Sequence, residues 1–101
     1  MRGSLPSPEQ TPSDGETFTT LARIANVEIE AIASGVVAPQ SYLQARDEWV
    51  VVLVGSARIA VGDARYELAA GDWISLPANV EHVVEHIEPG TRWLAVHIDP
   101  P

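Results

Sequence analysis

The chain has 101 residues, 46% hydrophobic and 20% charged, which suits one globular domain with a modest core. Its net charge of -8, with arginine as the only basic side chain besides histidine, repels phosphate backbones and excludes nucleic acid and anionic membrane surfaces as expected partners. Cysteine is absent, so there is no disulfide framework, thiolate nucleophile or cysteine-based zinc site.

Residues 1–16 are rich in proline, glycine and serine and contain a single leucine, a composition that predicts a flexible tail before a domain spanning 17–101. No apolar run approaches the roughly 20 residues of a membrane helix. The N-terminus lacks the apolar core of a signal peptide, so a cytoplasmic location is expected. Phe18, Leu21, Ala22 and Ala25 have helical spacing and suggest a short helix. From Val27 the period changes to two. Val27, Ile29 and Ala31 alternate with Glu28 and Glu30, as in a half-buried strand.

Further strands are predicted over 41–45 and 48–54, then around Ala57, Ile59 and Val61. Gly62-Asp63 is a tight hairpin turn. On the return strand Tyr66 and Leu68 are expected to face inward. Trp73–Leu76, 82–87 and Arg92–Ile98 complete about eight short strands with turn signals between them. The pattern predicts an all-β sandwich or small barrel, closed so as to leave no long bare edge.

Two segments carry a recognisable spacing. Tyr42-x-Gln44 is followed by three residues, Glu48, six residues and Gly55. Gly71 is followed by five residues, Pro77-x-Asn79, two residues, His82, three residues and His86. These resemble the two motifs of the cupin superfamily, whose members are jelly-roll (double-stranded β-helix) barrels. Both histidines of the first motif are replaced here, by Tyr42 and Gln44. In the second motif Asn79 stands for a glycine and His86 for an asparagine. The resemblance spans about residues 27–98. A narrower likeness, through Y-x-Q-x-x-D-E-W-V, G-D-x-x-x-x-P-A and R-W-L-A-V-H, is to small bacterial single-domain cupins with tyrosine and glutamine in the first motif. In that group a histidine is expected where Asn79 stands.

The resemblance implies a site inside the barrel built from Tyr42, Gln44, Glu48 and His82, with Gln44, Glu48 and His82 as candidate metal ligands. Imidazole and carboxylate donors suit Zn, Fe, Mn or Ni. A glutamine offers only a carbonyl oxygen, and a phenol with a pKa near 10 coordinates well only as phenolate. The expectation is therefore one divalent transition metal bound weakly or not at all. The alternative is a hydrogen-bonded polar cluster of Gln44, Glu48 and His82. Glu48, held in an apolar barrel with His82 as its partner, is also a candidate general base. His86 falls on the same strand face as His82 but about 13 Å away, too far to share one metal, and is expected to support the ligands from behind or to sit at the cavity mouth. His97 shares a face with Trp93 and Ala95 and is expected to be a core or rim residue. Trp49, Trp73 and Trp93 are expected to pack the core or a dimer interface, or to stack on a ligand.

The functional expectation is a small-molecule-binding cupin with a degenerate first motif. The alternative is a metal-dependent cupin enzyme, such as a dioxygenase, isomerase or lyase, using Glu48 and His82. The sequence leaves open whether the protein is an enzyme. By the same resemblance, it is expected to form a homodimer.

Overall fold

The computed structural model describes residues 2–101. Nine strands form two antiparallel sheets packed face to face. They are β1 (Glu16–Ile24), β2 (Val27–Ser34), β3 (Gln40–Tyr42), β4 (Asp47–Val54), β5 (Ser56–Val61), β6 (Ala64–Ala69), β7 (Trp73–Leu76), β8 (His82–Ile87) and β9 (Arg92–Ile98). The larger sheet has the order β1-β2-β9-β4-β7 and the smaller the order β3-β8-β5-β6. This is the expected all-β jelly roll. Its sheets keep separate edges rather than closing into one continuous ladder. No helix among the described residues is long and apolar enough to cross a membrane.

The short helix expected around Phe18–Ala25 is instead most of a nine-residue strand, β1, with Ala25 in the turn that follows it. The threonines at 17, 19 and 20 favour extended backbone, and pairing with β2 along its whole length outweighs the helical spacing of four apolar residues. Glu16, placed in the tail by composition, is the first residue of that strand. The segment before it makes specific contacts. Gly15 N–H donates to Val36 O at 2.9 Å, Val36 N–H donates to Ser13 O at 2.9 Å, and the Arg92 guanidinium donates to Pro6 O.

The core lies between the sheets. Val50, Val52, Ala57, Ile59, Leu68, Ile74, Leu76, Ile87, Trp93 and Ala95 pack together there. In the run Trp49–Val54, Val50 and Val52 point into this core, while Val54 is exposed. Tyr66, expected inward, is 44% exposed because β6 is an edge strand. Trp93 alone of the three tryptophans is buried. Trp49 and Trp73 pack on one another with ring centroids 6.1 Å apart.

One tight junction joins the sheets. Thr91 is fully buried, and its Oγ1 donates to Glu88 O at 2.6 Å and accepts from Ser56 N–H at 3.2 Å. Gly55, at φ +93°, lies against it. A Cβ at position 55 would overlap Thr91 Oγ1 and come within 2.8 Å of its Cα. Gly55→Ala therefore combines left-handed backbone strain with overpacking and is expected to cost about 2–5 kcal/mol. Urea unfolding should show a lower midpoint with an unchanged m-value. A loss below about 0.5 kcal/mol would mean that the junction relaxes freely.

Candidate functional site

A cavity of about 270 Å³ opens between the sheets. It is built mainly on the central pairing of the larger sheet. Strand β9 pairs on one side with β2 and on the other with β4, which puts Glu28, His97 and Glu48 in one row across three strands. Glu30, Ala95 and Val50 form the next row, and Ile32, Trp93 and Val52 the one after. Alternation then directs all of these toward the smaller sheet. The opposite wall comes from β8, through His82, Val84 and Ile87. Tyr42 and Gln44 approach from β3 and the loop after it.

The second motif's turn is tied to the first by backbone and side-chain bonds. Asn79 N–H donates to Gln44 O at 2.7 Å, and Ala78 N–H donates to Asp47 Oδ1 at 2.8 Å. Asn79 has φ +61°, the left-handed conformation that glycine takes most readily and asparagine tolerates. The motif's glycine can thus be replaced without changing the turn.

Tyr42, Gln44, Glu48 and His82 all line the cavity. His86 does not. The β5–β8 register shifts by one residue between Arg58 and Ile59, which leaves an extra residue in β8 near Glu85. This bulge reverses the alternation, so Ile87 faces inward and His86 is exposed to solvent. The partnering of Glu48 also differs from expectation. The imidazole beside it is His97, with Nδ1 at 3.5 Å from Glu48 Oε2. His82 instead stacks on Tyr42, its cross-strand neighbour, with ring centroids 5.4 Å apart and planes inclined by 14°.

Sequence reasoning missed Glu30 and undervalued His97. His97 is 4% exposed, and its Nε2 sits 3.0 Å from Glu30 Oε1. The strict alternation around Glu28 and Glu30 looks the same whether the glutamates face water or a polar cavity. The same sheet face holds Glu28, which is 5% exposed. Glu28 accepts hydrogen bonds from Thr20 Oγ1 at 2.6 Å, Arg46 Nη1 at 3.0 Å and Arg23 Nη2 at 3.1 Å. These bonds, that from Thr20 foremost, hold its carboxyl below the usual carboxylate range. Glu16 also lines the cavity. It accepts from Ser34 Oγ at 2.5 Å, and Ser34 Oγ accepts in turn from Trp93 Nε1 at 3.1 Å.

Burial governs the protonation of the other groups. It pushes the Glu48 carboxyl up, and the Glu30 carboxylate adds to this while His97 and Arg46 oppose it. A carboxyl in that condition, beside an imidazole, can take or give a proton closer to neutral pH than a free glutamate. Burial also raises the Tyr42 phenol, helped by the Glu16 and Glu48 carboxylates. Burial depresses His82 and favours its neutral form.

This donor set does not suit a firmly held transition metal. The Tyr42 phenol is kept protonated, and it donates to Gln40 Oε1 at 2.7 Å. Glu48 faces His97, while His82 is stacked on Tyr42. Among the described residues, no group of three or more His, Cys, Asp or Glu is placed to hold a metal ion.

The sheet topology and the cavity between the sheets define a small single-domain jelly-roll barrel with an internal polar site. The cupin domain model matches residues 28–97, and the chain belongs to the cupin family. Among solved structures, one from Ralstonia eutropha, provisionally named a mannose-6-phosphate isomerase, is 31% identical. The match covers 97% of this chain and 100% of that one, with a TM-score of 0.77. A conserved Streptococcus pyogenes protein of unknown function is 21% identical over 100% of this chain and 91% of its own, with a TM-score of 0.80. A cupin superfamily protein from Desulfitobacterium hafniense is 19% identical over 99% and 94%, with a TM-score of 0.74. Among curated proteins, none matches the chain.

The depressed His82 has a consequence for stability. Its unfolded form takes up a proton near the ordinary value of 6.5, and its folded form only at lower pH. The unfolded chain therefore binds more protons in that interval, and stability is lost as pH falls from above 6.5 toward the folded value. His82→Phe keeps a ring against Tyr42 and removes this contribution. Unfolding free energies measured from pH 7.5 to 5 should fall less steeply in the variant than in the parent. Parallel curves would show that His82 titrates alike in both states.

Proposed function

We propose that this cupin binds a small polar organic molecule in the cavity between its sheets and that binding requires no metal. The observation that carries this reading is a walled space of about 270 Å³ lined by Gln44 and His97, each of which holds a buried polar atom, Gln44 Oε1 and His97 Nδ1, with no partner within the protein. Buried polar atoms of a native protein are nearly always paired, so unpaired ones on cavity-lining residues are places for a guest to bind. The apolar walls, from Val50, Ile59, Leu76 and Ile87, would shield the guest from water.

The provisional name of the Ralstonia eutropha protein raises a sugar phosphate as a candidate guest. The lining of this cavity argues against it. Arg46 is the one arginine there, and it is held by Glu28 at 3.0 Å and lies 3.7 Å from Asp99. Glu16, Glu30 and Glu48 would repel a phosphate dianion.

Elemental mass spectrometry on protein grown in metal-supplemented medium should find well under one transition metal per chain. A library of small polar molecules should contain compounds that raise the melting temperature, and the shift should persist with a chelator present. A ligand at a hundred times its Kd would add about 2.7 kcal/mol of stability. Stoichiometric metal that disappears in His82→Ala would instead assign Gln44, Glu48 and His82 to a metal-dependent cupin enzyme.

A further inference from the structure

The chemistry of the unpaired atoms narrows the class of guest. The Glu30 carboxylate can only accept, so the short contact to His97 Nε2 places the imidazole hydrogen on Nε2. With the ring unprotonated, Nδ1 carries a lone pair and no hydrogen. It is an acceptor without a donor, on a side chain that is 5% exposed. Glu48 Oε2, 3.5 Å away, is too distant to supply one and, when ionised, is an acceptor too. Gln44 Oε1 is a second buried acceptor in the same condition. Neither of these two atoms has a donor within the protein.

Charge points the same way. Glu16, Glu30 and Glu48 border the cavity, while the guanidinium of Arg46 is held by Glu28. Several carboxylates around one apolar enclosure are costly, and a cation among them relieves that cost. Phe18, Tyr42 and Trp93 add aromatic surface, which suits the methylenes next to a cationic nitrogen and favours the cation itself.

We propose that the cavity is a site for a small primary ammonium ion, a short alkylamine or amino alcohol, whose N–H groups donate to His97 Nδ1, the Glu48 carboxylate and Gln44 Oε1. The nitrogen would bridge His97 and Glu48 across their 3.5 Å gap, with Glu30 fixing the imidazole from behind. Glu30 is a positioning residue, since it holds the tautomer that leaves Nδ1 free to accept. This assignment rests on the small-molecule reading above and specifies its ligand.

The test is calorimetric titration of the full chain, with a chelator present, using matched probes. Propylamine and 3-amino-1-propanol are the cations, 1-propanol and 1,3-propanediol their neutral counterparts, and propionate the anion. The expected result is binding of the amines at least ten-fold tighter than of the neutral probes, with no binding of propionate. Glu48→Gln removes the charge while keeping the shape, and should weaken amine binding ten-fold or more with little effect on the diols. Gln44→Leu removes the second acceptor at a half-buried position and should weaken it independently, so the assignment does not depend on one variant folding. Diols binding as tightly as amines would overturn the ammonium assignment and leave the small-molecule reading standing. Binding of neither class at millimolar concentration would overturn both. Amine binding unchanged in both variants would place the cation elsewhere and likewise overturn the assignment.

Discussion

Strand β9 is hydrogen-bonded on both sides, to β2 and to β4, and that double pairing sets the position of the inward side chains at the site. His97 is carried to the centre of the sheet with glutamates from both neighbouring strands beside it. A slip of one residue in either register would send one set of carboxylates to the outer face and replace it with apolar side chains. The Thr91–Gly55 junction at one end of β9 and the bond from Asp99 N–H to Asn26 O at 2.8 Å at the other anchor the strand.

Electrostatics follow from that placement. Four glutamates, Glu16, Glu28, Glu30 and Glu48, share one face of the larger sheet, and each meets a different environment. Glu28 collects three donors and stays ionised easily. Glu16 ends a hydrogen-bond chain from Trp93 through Ser34. Glu30 engages His97. Glu48 is left with the longest contact, and burial pushes its carboxyl up. Desolvation raises a carboxyl wherever hydrogen bonds do not offset it, and Glu48 has none to offset it.

The motif-one positions show how a cupin site can change its chemistry while keeping its architecture. Tyr42 and Gln44 occupy places where the family resemblance would put histidines, and Asn79 occupies a glycine position. Asn79 preserves the left-handed turn, so the second motif still bonds back to Gln44. Tyr42 preserves an aromatic ring and places it flat on His82. The backbone frame and the stacking survive, while two imidazole donors give way to a protonated phenol and an amide.

Several features were legible in the residues alone. Period-two alternation, turn residues at short intervals and the two spaced motifs pointed to an all-β jelly roll. The same spacing brought Tyr42, Gln44, Glu48 and His82 toward one cavity. Local patterns determine these features because alternation and turn chemistry act over a few residues. Tertiary structure alone decided which face of β2 is inward, because a glutamate facing a partner 67 residues away leaves the same local pattern as one facing water. It also decided that β1 is a strand, through pairing with β2, and that His86 faces solvent, through a single bulge that no local signal marks. The choice of His97 over His82 as the neighbour of Glu48 belongs to the same class. It depends on strand order, which is settled by packing between distant segments rather than by neighbouring residues.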